Sequence, residues 1–459
     1  MPGYDLAILG GGPAGYAAAL KAAERGAAVA LIEAGKPGGS CVHHACIPTN
    51  ALLGAAATRV DARELGIHGV FSVGEEFNFA RAAARKDALI RQMSAGIEAA
   101  LRMRGVTVIP GRASFTSPHM LAVATASGNE PLPAEAFIIA TGTRWEAGSI
   151  PGIDPAAVIT PDVVQGLPAT PPSAVVVGGG PSEGAFACEY AALLAIAGAE
   201  AVLAEPGPRF LPALDPAVSV SARAMLEALG VRVFEGAALR GEGESIVISH
   251  SGGEATAPAG PVVIADPRRP FLTSLGLEAA GVVTETAIPV DRSCRTSVPH
   301  IYATGDVTGG AMLSSTASHM GEVAATNATG GNAVARPGSI PHVLYGPPGI
   351  GWIGLTEDEA RRRGHDVVSG VFDLSYNARA IALGAREGLV KVVAERELGE
   401  VLGVHAAGPS VSEIMAVATA VMQAEATVYD LAATVHWHPS VAEGLAEAAR
   451  RAIGSPAGE

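Results

Sequence analysis

One local pattern occurs twice in this chain and restricts its fold more than any other feature. A short apolar strand runs into a cluster of glycines and then into an alanine-rich stretch. The first copy, YDLAILGGGPAGYAAALKAAERGAAVALIE over residues 4 to 33, reads as strand, turn, helix ended by Gly26, and second strand. The second copy opens with SAVVVGGG at residues 173 to 180, passes through a helical stretch to Gly198, and reaches the strand AEAVLAE, which ends at Glu205. Two βαβ units of this kind place the chain in the α/β class with two Rossmann-like nucleotide-binding domains.

The first copy carries Gly10, Gly12 and Gly15 at dinucleotide-fingerprint spacing, with the acidic Glu33 at the end of the second strand. The glycines let the backbone approach a pyrophosphate at the positive helix N-terminus, and the carboxylate is placed for ribose hydroxyls. Glycines at this spacing alone are equally a tight βα turn with no ligand. Glu33 in its expected place makes dinucleotide binding the stronger reading.

Composition agrees. At 459 residues the chain is long enough for about three domains. Hydrophobic residues are 49% and aromatics only 4%, so the interior is built from Ala, Val, Leu and Ile, with 57 glycines serving tight turns. Thirty-one basic against 45 acidic residues give a net charge of -14, which repels a phosphate backbone and speaks against nucleic-acid binding. The N-terminus lacks the basic flank and cleavage site of a signal peptide, and no apolar run is long enough for a membrane span, so a soluble, cytoplasmic protein is expected.

The chain divides at 1–150, completed by about 265–338; at 151–264; and at 339–459. The first region holds a helical segment at roughly 79–104 and a strand pair leading to FIIATGTRW (137 to 145), and is completed by HIYATGDVTGG (300 to 310). The Pro/Gly boundary SIPHVLYGPP opens the third region, which mixes the strands GLVKVVAE and GEVLGVHAAG with Ala-rich helices.

GGSCVHHACIPTN, residues 38 to 50, holds two of the four cysteines. By residue type it is a metal site of Cys41, His43, His44 and Cys46, a redox dithiol, or a pair of inert buried thiols. Adjacent histidines so closely flanked by cysteines can hardly face one tetrahedral ion, and no second ligand pair stands at zinc-finger spacing. Four cysteines are too few for a disulfide framework, and in a reducing compartment a pair is more often catalytic or metal-binding. Cys188 and Cys294 have no partner by spacing and read as small core residues.

Six stretches in order, LAILGGGPAG, GGSCVHHACIP, FIIATGT, VVVGGGP, IYATGDVTGG and HWHPSVAEGLAEAA, resemble those of the flavoprotein disulfide reductases, most closely the dihydrolipoamide dehydrogenases. The resemblance spans essentially the whole chain. It implies an FAD-binding domain, an NAD(P)-binding-like domain and a C-terminal α+β dimerisation domain. It assigns FAD to Gly10, Gly12, Pro13, Ala14, Gly15, Glu33, Gly39, Ser40, Ala113, Thr141, Gly142, Gly305, Asp306, Met312 and Leu313. It makes Cys41 and Cys46 the redox pair, with Cys46 the thiolate against the flavin and Cys41 the sulfur that exchanges with substrate. His438 and Glu443 match the acid-base pair, which in the family reaches the cysteines of the other subunit of a homodimer. No metal is implied.

Three departures from the family fall on the entry of a hydride from nicotinamide. Glu183 stands at the third fingerprint position of the second glycine cluster, with Gly184 one residue late, and about four extra residues precede Gly198. A carboxylate there opposes the pyrophosphate charge. Pro267 stands where relatives have glycine, adding bulk and removing a donor. Asn50 replaces a lysine that in relatives pairs with a glutamate, matched here by Glu189 or, if the glycines are aligned, lost to Ala185. Glu205 keeps the place of the acid that selects NAD over NADP.

The expectation is an FAD-dependent dithiol/disulfide oxidoreductase acting on a free or carrier-tethered thiol, with weak or absent NAD use. An ordinary NAD-dependent dihydrolipoamide dehydrogenase and a structural FAD-binding subunit are the alternatives.

Overall fold

The computed structural model describes residues 3–64, 77–178, 185–335, 340–385 and 387–454. Its contacts separate two units. The first comprises Met1–Ala51, Ala83–Glu146 and Pro267–Pro337, and the second comprises Leu52–Ala82, Ala147–Asp266 and Gly338–Glu459.

In the first unit the strand Tyr4–Leu9 pairs in parallel with Val29–Glu33 on one side and with the end of Gly128–Ile139 on the other. Thr107–Pro110 extends this sheet at one edge, and Ile301–Ala303 pairs with Gly128–Ile139. The strand pair expected before FIIATGTRW is the antiparallel Arg112–Ser117 and Met120–Thr125. Alternation along Tyr4–Leu9 sends Leu6 and Ile8 into one core and Ala7 and Leu9 into another, so the sheet is buried on both faces.

Small residues let two helices approach closely here. Pro13–Glu24 buries Ala14, Ala18, Ala19 and Ala22, and it lies against Ser314–Ala328. A side chain at Gly321 would collide with the Ala14 carbonyl. The Ser318 hydroxyl lies 3.4 Å from the Pro13 carbonyl oxygen, which brings the second turn of its helix to the first residue of the other.

The second unit contains a five-stranded parallel sheet ordered Arg232–Glu235, Glu200–Glu205, Ser173–Val177, Val262–Ile264, Val158–Ile159. The helix Ala185–Ala197 packs Ala187, Tyr190, Leu193 and Leu194 into the core beside it. Residues 179–184, including Glu183 and Gly184, lie outside the described residues. The expected C-terminal strands are Leu389–Glu395 and Val401–Ala407, within a five-stranded antiparallel sheet packed by the helices Val411–Gln423 and Glu443–Ala452. Lys391 of that sheet is buried between Asp215, at 2.8 Å, and Glu357, at 2.7 Å.

Candidate functional site

The first glycine turn is built for close backbone approach. Gly10 has φ +103, and a Cβ there would strike the Ala140 carbonyl. Gly39 has φ +57, and its Cβ would fall 2.5 Å from the Gly12 Cα, so two separate loops meet backbone to backbone. Gly12 caps the helix without a side-chain acceptor, and Pro13 takes the first helical position. The Glu33 carboxylate accepts the Gly11 N–H at 2.6 Å and the Gly35 N–H at 2.7 Å, fixing it at the rim of the turn.

A second cluster of the expected cofactor residues gathers around Arg268. Its Nη1 lies 3.0 Å from Asp306 Oδ2, and its Nη2 donates to the Met312 carbonyl at 2.8 Å. The Thr143 hydroxyl also donates to Asp306, at 3.2 Å. Thr141 donates to the Phe271 carbonyl at 3.0 Å, and the Gly142 carbonyl accepts the Phe271 N–H at 2.8 Å. Gly305 begins the turn that carries Asp306, and Leu313 caps the Ser314–Ala328 helix. Ala113 lies in the strand Arg112–Ser117 opposite Val123 and packs against the core, while Ser40 is exposed on the short helix Gly39–His43. The hydroxyls of Thr304 and Thr316, beside this cluster, are buried and make no hydrogen bond among the described residues. Orphaned donors next to a glycine cradle and a carboxylate suit an extended polar cofactor.

Cys41 and Cys46 are half-buried free thiols, one on the short helix Gly39–His43 and the other at the first residue of Cys46–Glu64. Their environments drive them apart. The Cys41 thiol hydrogen-bonds to the Cys46 sulfur, and this bond, with the Ser314 hydroxyl and the Arg268 charge, outweighs burial and lowers Cys46 to about 7. The same bond, followed by burial, raises Cys41. Of the two sulfurs, Cys46 is thus the one whose surroundings favour the thiolate, and Cys41 the one whose surroundings disfavour it. His43 Nε2 sits 3.2 Å from the Pro37 carbonyl oxygen, and among the described residues no three His, Cys, Asp or Glu side chains come together as a metal site. Cys188 and Cys294 are buried, and burial pushes Cys294 up to about 12.

Tyr16 is close enough to the pair to feel it electrostatically. Burial first, and then the neighbouring cysteine pair, raise its hydroxyl, against a hydrogen bond with Ser318. The ring lines a groove of about 510 Å³ whose walls include Leu20, Lys21, Met103, Arg104 and Ser318.

In the second unit, His438 Nδ1 lies 2.9 Å from Glu443 Oε1, and Glu443 Oε2 accepts the Ser440 N–H at 2.8 Å. Burial works against the charge of Glu443, but Ser440, His438 and His436 outweigh it and hold the carboxyl below its ordinary value. Glu205, also in this unit, accepts the Gly207 N–H at 2.8 Å, just as Glu33 binds Gly35, but is 1% exposed, and burial raises its pKa. Glu189 is buried and accepts the Tyr345 N–H at 2.8 Å. Asp266, a buried acid that sequence reasoning passed over, stands with Glu189 and Glu205 among the charges that raise Cys188, whose first cause is burial. Pro267 is half-buried and Asn50 exposed in the first unit.

Residues 4–321 match the family model for pyridine nucleotide-disulphide oxidoreductases, and residues 340–449 match the dimerisation domain of the same family. The chain belongs to this family. Two dihydrolipoyl dehydrogenases of Bacillus subtilis are 34% and 36% identical to it, each match covering 98% of both chains. The solved structure of LpdA from Mycobacterium tuberculosis superposes with a TM-score of 0.87 at 28% identity, covering 97% of this chain and 99% of that one. The HOCl-induced flavoprotein disulfide reductase RclA from Escherichia coli, as its Cu(II) complex, does so with a TM-score of 0.84 at 25% identity, covering 98% and 100%.

The protein is thus a flavin-dependent oxidoreductase acting on sulfur groups, and its cofactor is FAD. Bound FAD supplies a two-electron acceptor. The chain's own residues bring together two free thiols, one lowered and one raised by its surroundings, and separately place a histidine against a carboxylate. Sequence reasoning missed Arg268 and Ser314. Their signals were faint: Arg268 precedes the RP of a short strand paired with Thr143–Trp145, and Ser314 directly follows Met312 and Leu313. No helix among the described residues is long and apolar enough to cross a membrane.

Proposed function

We propose that the protein oxidises a dithiol substrate through a Cys41–Cys46 disulfide, with FAD held by the Gly10 turn, Glu33, Gly39 and the Asp306 cluster, and with weak or absent use of NAD(P)H. The observation that carries the sulfur side is the opposed pair, Cys46 lowered to about 7 beside a raised Cys41. A substrate thiolate attacks Cys41, the S–S bond breaks, and Cys46 leaves as thiolate. The second substrate thiol displaces Cys41 from the mixed disulfide. The substrate leaves as a disulfide, its two electrons remain on the enzyme dithiol, and His438 takes the proton of the attacking thiol.

His438 is exposed in a single copy, with 72% of its side chain accessible, which suits a homodimer in which it serves the cysteines of the other copy. The FAD domain in this reading is 1–150 completed by 265–338, followed by a divergent nucleotide domain at 151–264 and the dimerisation domain at 339–459. Dithiol chemistry in the reducing cytoplasm suits so few cysteines. The names of the relatives point to a dihydrolipoyl-type dithiol, free or tethered to a carrier protein.

On the nicotinamide side, Glu183 and Asn50 stand in the sequence, Glu205 and Asp266 are buried acids, and Glu189 is engaged by the Tyr345 backbone. A carboxylate at the third fingerprint position, Glu183, disfavours a bound pyrophosphate, whereas Glu205 keeps the place of a ribose-side acid, so the electron acceptor in this reading is not NAD; oxygen fits. Anaerobic titration of the flavin absorption band tests both sides. A dithiol reduces the flavin and NADH does not; rapid bleaching by NADH restores the ordinary dehydrogenase reading. A Cys41→Ser variant that responds to dithiol like the wild type removes the disulfide role.

A further inference from the structure

We propose that Ser314 is a positioning residue for the dithiol step: its hydroxyl donates to the Cys46 sulfur and stabilises it as the leaving thiolate when Cys41 is attacked. This rests on the reading of Cys41 and Cys46 as the redox pair. Ser314 Oγ lies 3.1 Å from Cys46 Sγ, and a thiolate has no proton, so in that state the hydroxyl must be the donor. Ser314 is also the first residue of a 15-residue helix, the end at which the helix dipole favours a negative charge.

The backbone fixes this placement. Met312 is held at φ +51 with its carbonyl tied to Arg268, and Leu313 then caps the helix without a side-chain acceptor. Close packing of Ser314–Ala328 on Pro13–Glu24 holds the first turn in place. Among the described residues, Cys41 and Arg268 act on Cys46 directly, Tyr16 feels its charge, and Asp306 acts on Cys41. Arg268 already has two partners in Asp306 and the Met312 carbonyl, so Ser314 is a neutral donor aimed at the sulfur itself.

The chemistry explains why a donor belongs there. In thiol–disulfide exchange the rate rises as the leaving thiol becomes more acidic. A hydrogen bond to Cys46 therefore directs attack to Cys41, because only that attack expels the stabilised sulfur. The electron pair of the broken S–S bond goes to Cys46, and the new S–S bond joins the substrate to Cys41.

The test is alkylation of the reduced, FAD-loaded enzyme by iodoacetamide across pH 5 to 10, with Cys46 followed by peptide mass spectrometry. The wild-type midpoint is expected near 7. Ser314→Ala should raise it by about one to two pH units, the worth of one hydrogen bond to a charged group. Ser314→Thr should restore it, and Ser315→Ala, an exposed neighbour, should leave it unchanged. An unmoved midpoint in Ser314→Ala, or a threonine variant as shifted as the alanine one, overturns the proposal. Dithiol reduction of the flavin in the same wild-type sample reports separately on the redox pair: if it fails while the midpoint still moves, the pair's role is wrong and the hydrogen bond stands.

Discussion

Arg268 Nη1 lies 3.0 Å from Asp306 Oδ2, with the two side chains only 8% and 17% exposed. The pair joins the cofactor side to the sulfur side, because the same guanidinium lowers Cys46 and holds the Met312 carbonyl. Arg268→Met leaves the Asp306 carboxylate without its cation and should destabilise the chain by about 3 to 5 kcal/mol. It should also raise the alkylation midpoint of Cys46. Urea unfolding of the flavin-stripped protein measures the first effect. A loss under about 1 kcal/mol would mean that water replaces the arginine at little cost.

The Gly39–Gly12 contact predicts a selective loss of cofactor. Gly39→Ala forces a methyl group to within 2.5 Å of the Gly12 Cα at φ +57. Strain of about 1 to 3 kcal/mol corresponds to roughly 5- to 150-fold weaker FAD retention. Equilibrium dialysis against free FAD gives the ratio. Unchanged affinity would show that the two loops separate without disturbing the cradle.

Local chemistry explains which parts of the site were legible. The Gly10 turn, Glu33 and the His438–Glu443 pair are each encoded within about thirty residues or fewer, where glycine spacing, a strand end or an HP turn already fixes the geometry. Ser314 approaches Cys46 across 268 residues of sequence, and no local period reports that contact. Arg268 reads as one of two arginines in RRP, and only the strand pairing with Thr143–Trp145 decides that it is buried while Arg269 is exposed. Ala113 was assigned by resemblance; its side chain packs against the core, so a backbone role is the one open to it.

Because Glu443 anchors His438 at 2.9 Å, the two should fail differently. His438→Gln should slow dithiol reduction of the flavin by about 10² to 10⁴-fold, the usual contribution of a positioned base. Glu443→Gln keeps a hydrogen-bonding side chain but loses the charge, and should slow it by about 10- to 100-fold. The folded carboxyl is held below its ordinary 4.5, so its stabilising effect is full above that pH and lost as pH falls through the lower folded value. Wild type and Glu443→Gln should therefore converge in stability as the buffer is taken from pH 4.5 downward. Denaturant midpoints across that range check the sign, and a gap that widens in acid would contradict it.

Lys391 offers the clearest test of the ion cluster that ties the antiparallel sheet of the second unit to the helices Pro216–Ala228, capped by Asp215, and Glu357–Arg362. Its ammonium meets Asp215 at 2.8 Å and Glu357 at 2.7 Å, and the Asp215 side chain is only 1% exposed. Burial opposes its charge, yet the two carboxylates outweigh that effect and raise its pKa, so the cluster stays intact from neutral pH up to the ordinary lysine range near 10.5 and weakens as pH rises past the higher folded value. Lys391→Met should cost about 3 to 5 kcal/mol, because Asp215 is left as a buried charge without its partner. Adding Asp215→Asn removes that charge while keeping an oxygen for the Ala217 N–H, which Asp215 accepts at 3.0 Å. The double variant should thus recover at least about 1 kcal/mol relative to the sum of the single losses. Urea unfolding of the four proteins in a double-mutant cycle measures this, and strictly additive losses would show that the ion cluster is not the source of the stability.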